Sequence, residues 1–422
     1  MRITILTLGI RGDVQPYIAL GLGLKNAGYQ VTLACNPEPA DFVAEHGLDT
    51  ALLHAGFHQY FETEEGIKFA RGDLGSMYRG ITDTLHPIVR RLLDDSWEAA
   101  QGSDALIYHP DIPAGYHIAE KLDIPCFLAS PLPSIVPTGA FPHPYASGLR
   151  LGAAANRLSY VLNRLPRALL HFTINRWRRQ TLGLPSRSFF AANTTLHDKP
   201  IPVLYAFSPS AISLPLPRAS HVHITGFWLL PASPSWSPPA DLTEFIELGP
   251  PPIYVGFGNK TIPDRDRLTG IVFSALERLR VRCVITAGWD TLPNTYQPPT
   301  LYRARDVPAR WLFPRMAAIV NHGDAATVAG SLRAGRPTVV CPFFRDEPFW
   351  GKVVWNCGVG PEPIPIGSFT ATRLADAISK ALSDTTIQER ARHLGNQIRA
   401  EDGVQNAVAV IRQYLDTGSA DN

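Results

Sequence analysis

The sequence predicts an α/β protein of two halves, each a parallel sheet covered by helices, facing one another across a cleft. Three observations predict it. Short apolar runs rich in β-branched residues recur along the 422-residue chain and end in turn residues. Longer stretches with helical periodicity separate them. One Pro/Ser-rich break divides the pattern. Runs that are apolar on both faces leave no side for solvent, as expected of parallel strands with helices above and below.

In the first half Ile3–Leu8, Val31–Cys35, Ala105–Tyr108, Pro125–Ala129 and Val203–Phe207 read as strands. In the second, Ile253–Phe257, Val281–Thr286, Leu301–Arg303, Ala318–Val320 and Thr338–Cys341 do so. Tyr17–Asn26 and Arg373–Leu382 are typical of the amphipathic helices between them. The break is Pro231-Ala-Ser-Pro-Ser-Trp-Ser-Pro-Pro239, followed by Pro250-Pro-Pro252. Such a stretch continues neither helix nor sheet. Residues 231–250 therefore read as a linker between a domain of 1–230 and one of 251–400, with a last helix over 401–422. Two domains also fit a length of roughly 100–200 residues each. In this architecture ligands bind at the carboxyl ends of the strands, where a hinge would place the cleft.

Composition narrows the class. With 45% hydrophobic and 9% aromatic residues, the chain can build full cores, which excludes global disorder. A formal charge of +2 and the lack of any recognition motif argue against nucleic acid as a partner. Five scattered cysteines (Cys35, Cys126, Cys283, Cys341, Cys357), with no C-x-x-C pair, support neither a zinc site nor a disulfide framework. No apolar stretch approaches the ~20 residues that span a bilayer. The expectation is a soluble protein of a reducing, cytoplasmic compartment, with no metal and no cofactor.

Three segments of the second half converge on phosphate chemistry. The strand at Ile253 ends in Gly256-Phe-Gly-Asn-Lys260. The strand ending at Val320 runs into Asn321-His-Gly-Asp-Ala-Ala-Thr327 and a helix. The strand ending at Cys341 runs into Pro342-Phe-Phe-Arg-Asp-Glu-Pro-Phe-Trp350. A strand that turns through glycine into a helix presents unpaired backbone N–H groups and the positive end of the helix dipole, which suits an anion. His322 and Thr327 add side-chain donors in the same turn, and Asp346 and Glu347 are adjacent acceptors suited to sugar hydroxyls. Read one at a time, the glycine turn is ordinary structure, the histidine a cap and the Asp-Glu pair a solvated turn.

Together with Val307-Pro-Ala-Arg-Trp-Leu-Phe-Pro-Arg315 and Ser331-Leu-Arg-Ala-Gly-Arg-Pro-Thr338, these segments resemble the donor half of the GT-B nucleotide-sugar glycosyltransferases. The nearest branch resembles the sterol glucosyltransferases, with bacterial glycopeptide and macrolide glycosyltransferases as cousins, and the likeness runs from Leu8 to about Gly360. It implies a GT-B fold of two Rossmann-like, doubly wound parallel-sheet domains. It also implies that the loop from Val307 to Trp311 holds uracil, and that His322 and Thr327 contact the diphosphate, with Gly258, Asn259, Gly323, Asp324, Ala325 and Ala326 around it. Asp346 would bind hexose hydroxyls, and Glu347 stands where the family usually has Gln. The chain departs from the family pattern His-His-Gly-Gly-Ala-Gly-Thr at Asn321, Asp324 and Ala326, and Asn259 replaces a usual Ser. A carboxylate near a diphosphate opposes it by ~4 kcal/mol at 4 Å and an effective dielectric near 20. Either Asp324 turns away to cap its helix or donor binding is weakened.

Leu8-Gly-Ile-Arg-Gly-Asp-Val-Gln-Pro16 places Arg11, Gly12 and Asp13 at the tip of the first strand. Locally this is an Asp helix cap with Pro in the first turn. By resemblance it is the family's catalytic loop, with Asp13 the general base and Arg11 and Gly12 on the donor. A carboxylate in a closed cleft is well placed to take a hydroxyl proton. By the same resemblance His109 lies on the next cleft strand and is a candidate to contact the acceptor. Pro133 and Phe141, in the stiff loop Ser130–Pro144, and Phe57 and Met77 are candidates for walls of an apolar acceptor pocket, with ordinary loop packing as the alternative. Seven arginines and no acid between Gly148 and Leu184 make either a solvated helical face or a basic amphipathic surface for anionic lipid.

The resulting expectation is an inverting, metal-independent hexosyltransferase. It would move glucose from UDP-glucose, a co-substrate, to a hydroxyl of an apolar small molecule, with dTDP an open alternative for the nucleotide. Two rivals stand beside it: an auxiliary or scaffold protein that has lost donor binding, for which Asp324 and Ala326 speak, and a nucleotide-sugar 2-epimerase on the same plan. The lack of G-x-G-x-x-G after the first strand argues against a nicotinamide dehydrogenase.

Overall fold

β1 (Arg2–Leu6) sits centrally in a seven-stranded sheet because its residues are apolar on both faces, and four of its five are fully covered. A computed structural model gives the structure. It describes residues 1–54, 56, 80–149, 152–189, 191, 193–215, 221–233, 236–258, 265–286 and 298–420. In chain order the first half continues with α1 (Arg11–Asn26), β2 (Gln30–Cys35), α2 (Pro37–Glu45), β3 (Asp49–Leu52), α3 (His86–Ala99), β4 (Ala105–Tyr108), α4 (Gly115–Leu122) and β5 (Cys126–Ser130). There follow α5 (Ala153–Ser159), α6 (Arg164–Trp177), a short antiparallel pair β6 (Thr195–Leu196) and β7 (Lys199–Pro200), then β8 (Val203–Tyr205) and β9 (Val222–Ile224).

The second half holds α7 (Ala240–Glu247), β10 (Ile253–Gly256), α8 (Arg265–Leu279), β11 (Cys283–Thr286), β12 (Leu301–Ala304), α9 (Ala309–Leu312), β13 (Ile319–Asn321) and α10 (Ala325–Ala334). It ends with β14 (Thr338–Val340), α11 (Glu347–Asn356), α12 (Ala371–Ser383), α13 (Thr385–Ala400) and α14 (Gly403–Ala420). The sheet orders are β3-β2-β1-β4-β5-β8-β9 and β12-β11-β10-β13-β14, parallel throughout. These are two Rossmann-like domains of an α/β protein, as expected.

Side-chain alternation divides each core. Ile253 and Val255 face α8 and α12, whereas Tyr254 faces Leu242 of α7 and Phe313. Leu242 is fully buried there, so α7 belongs to the second core and the stretch without regular structure is shorter than residues 231–250. Helix α1 begins at Arg11, six residues before the start that its periodicity suggests, with Ile10 as N-cap and Pro16 inside it.

Helix α14 leaves the second half and packs on α1. Ala407, Val408, Ile411 and Leu415 join Ile3, Ile5, Ile18 and Leu24 in one cluster. At the crossing, Glu401 Oε1 accepts from Ser208 Oγ (2.7 Å) and Ser210 Oγ (2.8 Å), and Asn406 Nδ2 donates to the Thr225 carbonyl (2.9 Å). Ile411→Ala, at a fully buried position in this cluster, is expected to destabilise the protein by about 2–5 kcal/mol. Urea unfolding should show this as a lower midpoint at unchanged slope.

Candidate active site

At the carboxyl edge of the first sheet, β1 turns into α1 through Gly9, whose φ is +121°. A Cβ at this position would lie 2.3 Å from Asp13 Oδ2, so only glycine lets that carboxylate fold back on the turn. Asp13 Oδ2 accepts from the Ile10 N–H at 3.0 Å, and the Gly9 N–H donates to Asn36 Oδ1 at 2.9 Å. Asp13 therefore caps α1 from within its first turn and is exposed at the sheet's edge. The capping reading holds, and it fixes one oxygen of the predicted base.

His109 follows β4, the neighbouring strand, and its side chain is largely covered. Its Nδ1 accepts from the Asp111 N–H at 3.1 Å, which places the proton of the neutral ring on Nε2. Tyr17 lies beneath, ring edge against His109 at 6.0 Å, its hydroxyl donating to the Ala129 carbonyl at 2.7 Å. Burial first, then the carboxylates of Asp111 and Asp13, hold the Tyr17 phenol well above its ordinary pKa. Tyr17 is thus a neutral donor already spent on the backbone, while Asp13 and Asp111 add negative potential to the same region.

Across the cleft, β13 runs into His322, Gly323 and Asp324, and α10 begins at Ala325. Gly323 has φ +99°, and a Cβ there would stand 2.9 Å from the Glu347 carbonyl oxygen. Its N–H donates to Asn321 Oδ1 at 2.8 Å, so Asn321 serves the turn. The buried His322 ring lies parallel to Phe343 at 6.3 Å and beside Gly258. Asp324 is the N-cap of α10. Its Oδ1 accepts from the Thr327 N–H at 2.9 Å, and its Oδ2 lies 3.3 Å from His322 Nε2. Of the two readings of Asp324, capping is realised, but at the spot an anion would use: one amide at the helix N-terminus is already satisfied by a carboxylate. Ala325, Ala326 and Thr327 are half-exposed at that end.

The loop after β14 corrects one expectation. Glu347, expected to face sugar hydroxyls, is 1% exposed, and its Oε2 accepts from the Phe343 N–H (2.7 Å) and Phe344 N–H (3.2 Å). It braces the loop because the amides of Phe343 and Phe344 converge on it. Asp346 beside it is half-exposed. Pro133 is likewise buried, its carbonyl accepting from the Tyr160 hydroxyl at 3.1 Å, so it supports the proposed acceptor wall from behind. Phe141 is half-buried and packs on Phe349 of α11 at 5.4 Å, a contact between the two halves. Val307 and Trp311 are half-buried in one cluster; Trp236 meets the Trp311 ring edge-on at 5.6 Å and the Arg315 guanidinium lies 4.2 Å from its centroid. Phe57, Met77 and Asn259 lie outside the described residues.

Arg11 ties the halves together. Its guanidinium lies 3.9 Å from the Phe42 ring centroid, and Nη1 pairs with Asp306 Oδ1 at 2.6 Å, immediately before Val307. Gly12 is half-exposed beside it. Sequence reasoning missed Asp306, whose signal is its place next to the loop expected to hold the base, and Tyr145, whose hydroxyl accepts from Arg345 Nη2 at 3.2 Å. It also missed the Lys352 amine donating to the Ser147 carbonyl. The cavity lined by Ser210, Cys357, Glu389, Arg390 and His393 includes none of the predicted site residues.

Two family models match this framework: the glycosyltransferase family 28 N-terminal domain over residues 3–140, and the C-terminal domain of erythromycin biosynthesis protein CIII-like proteins over 271–412. A sterol 3-beta-glucosyltransferase of Glomerella lagenarium is 36% identical over 437 residues, covering 99% of this chain and 28% of that protein. The chain has the two-domain GT-B fold of the glycosyltransferases it resembles. It spans less than a third of that relative's length. Among solved structures, the glycosyltransferase of kitacinnamycin superposes with a TM-score of 0.69 at 19% identity, covering 98% of each chain. VinC in complex with dTDP gives 0.66 at 16% identity, covering 99% of this chain and 100% of that one.

The resemblance places a donor diphosphate at the amino end of α10, so the expectation can be tested through Asp324, which occupies that end. Asp324→Asn keeps an acceptor for the Thr327 N–H and removes the charge. UDP binding by calorimetry is expected to tighten on the order of tenfold, about 1.4 kcal/mol for one screened unit charge, with little change in Tm. Unchanged affinity would mean that the carboxylate does not meet the ligand.

Proposed function

We propose that the chain transfers a hexose, glucose from UDP-glucose, to a hydroxyl of an apolar acceptor such as a sterol, with inversion. The observation that carries this reading is the placement of Asp13 and the α10 amino end on facing sheet edges, joined across the cleft by Arg11 and Asp306. The sterol 3-beta-glucosyltransferase relative supports the acceptor class, and VinC with dTDP supports a nucleoside diphosphate as leaving group.

In the proposed reaction Asp13 takes the proton of the acceptor hydroxyl as its oxygen attacks the anomeric carbon from the face opposite the diphosphate. The new glycosidic C–O bond forms as the bond from the anomeric carbon to the phosphate oxygen breaks, and UDP leaves as the anion. The amides of Ala325 and Ala326, with His322 and the Thr327 hydroxyl, receive that charge. Fixed donors need no reorganisation as the charge develops, so we assign no step to a metal ion. Asp346 and Val307–Trp311 would hold the hexose and the base. The Arg11–Asp306 pair is exposed at both ends (45% and 77%). It is therefore worth little in water, which suits a contact that opens and closes with substrate.

Asp13→Asn keeps an acceptor for the Ile10 N–H and so preserves the turn. Turnover should fall by ~10²–10⁴ with UDP affinity near that of the parent; undiminished turnover would remove Asp13 as the base. Activity abolished by EDTA and restored by Mg²⁺ would overturn the metal-free account. Asp324 on the helix cap favours one second reading, an auxiliary protein of weak donor affinity. Failure of UDP to raise Tm at millimolar concentration, with Asp324→Asn restoring the shift, would support that reading.

A further inference from the structure

The outer face of the acceptor half carries a second feature that the transfer reaction does not use. From Gly148 to His197 the chain has eight arginines and neither Asp, Glu nor Lys. The structure sorts these arginines. Arg178 is fully buried, in a two-pronged pair with Glu120 (2.7 and 3.2 Å), and Arg187 donates to the Tyr116 hydroxyl at 2.8 Å. Arg157, Arg176 and Arg179 are exposed. Beside them are large apolar side chains in water: Phe172 is 81% exposed, Leu158 69%, Leu149 56% and Phe189 52%.

At about 100° per helical residue, Phe172 and Arg176 on α6 project from the same side. The His171 ring is in contact with both Phe172 (5.9 Å) and Phe189 (5.5 Å), which brings the two exposed phenylalanines together. The inner side of the preceding segment is fixed to the proposed acceptor loop. Asn156 Nδ2 of α5 donates to the Gly139 carbonyl at 2.9 Å, the Ser159 hydroxyl accepts from the His143 N–H at 2.7 Å, and Tyr160 holds Pro133. Among the described residues no helix is long and apolar enough to cross a membrane.

We propose that this face, centred on Phe172, Phe189, Arg176 and Arg179, docks on the surface of an anionic lipid bilayer. Protruding aromatic and aliphatic side chains set among arginines, with no acid in the segment, match an interface of apolar chains beneath negative headgroups. A nucleic-acid partner would supply the charge but not the apolar phase for side chains standing this far out. The inference rests on the reading above in one respect: the docked face backs onto the acceptor loop, so an acceptor dissolved in the bilayer is presented where transfer occurs.

The test is flotation of the 422-residue chain with vesicles of phosphatidylcholine alone and with 30% phosphatidylserine. Binding is expected only to the anionic vesicles and should weaken with salt. Arg176→Glu/Arg179→Glu should reduce it by at least roughly thirtyfold, about fivefold for each arginine lost from the surface. Phe172→Ser should weaken it at unchanged net charge, with both variants keeping the parent's circular dichroism and Tm. Transfer to a detergent-dispersed sterol should be untouched in all variants; absence of that activity in the parent would count against the transfer reading and not against the surface. Equal flotation of parent and charge-reversed variant would overturn the proposal. So would absence of parent flotation, or capture by an RNA oligonucleotide without vesicle binding.

Discussion

A helix cannot satisfy the N–H groups of its own first turn, and the candidate site depends on how this chain treats two such ends. At α1 the free amide of Ile10 is taken by Asp13, a residue inside the helix. At α10 the Thr327 amide is taken by Asp324, the residue before it. Both carboxylates stand at the carboxyl edges of their sheets, where parallel strands release the chain into loops. The same geometry serves opposite ends. A carboxylate fixed by one oxygen at α1 is suited to receive a proton, whereas a carboxylate fixed at α10 competes with any anion that approaches it. On the proposed reading, the identity of one side chain at one cap therefore decides how tightly a diphosphate can be held.

The seam between the halves shows why such a cleft holds its shape with exposed charges at its rim. Behind the polar edge, Phe141 packs on Phe349 and Phe227 on Trp350 (6.2 Å). Val328, Leu332 and Trp350 share one apolar cluster with Leu106 and Tyr108 of the first half. Helix α14 adds a strap on the far side, anchored by Ile411 against β1 and α1. Burial supplies the affinity between the halves, and rim pairs such as Arg11 with Asp306 set only their alignment, since exposed ion pairs are screened.

Much of this was legible in the sequence, for identifiable reasons. The central strands β1, β4, β5, β10 and β11 fall within two residues of their expected bounds because double-sided burial demands apolar residues at every position. β3 escaped because it is an edge strand with three of its four residues exposed, so its side chains carry no core pattern. The start of α1 escaped for a different reason. Gly9, Gly12 and Pro16 look like loop chemistry, and Ile10 carries no capping oxygen; the cap lies three residues on, in Asp13. Glu347 shows the limit most clearly. An acidic pair on a loop looks solvent-facing, and only the fold reveals that the amides of Phe343 and Phe344 converge on the second of the two. His322 was placed correctly at its turn, yet nothing in its neighbours' identity foretold a parallel Phe343 ring beside it.

The Arg-rich segment separates the two roles that one residue type can play. Arg178 is held in a buried, two-pronged pair with Glu120, and Nη1 also reaches His117 Nδ1 at 2.7 Å. A planar guanidinium holds its donors in a fixed fork that meets both carboxylate oxygens of Glu120 and His117 at once, a geometry that the compact ammonium of a lysine lacks. That pair anchors the segment to α4, since breaking one partner would leave a charge in the interior. Arg157, Arg176 and Arg179 make no comparable demand on the core and face water. A segment anchored by a buried arginine can afford a bare apolar outer face, because the anchor and not that face keeps it in place. Phe172 and Leu158 are then not failures of packing: the inner side of the same segment already carries Asn156, Ser159 and Tyr160 into the acceptor loop. The outer face and the loop at 133–143 thus meet through one short stretch of chain, Asn156 to Tyr160, in which the side chains of Asn156, Ser159 and Tyr160 are turned to the loop.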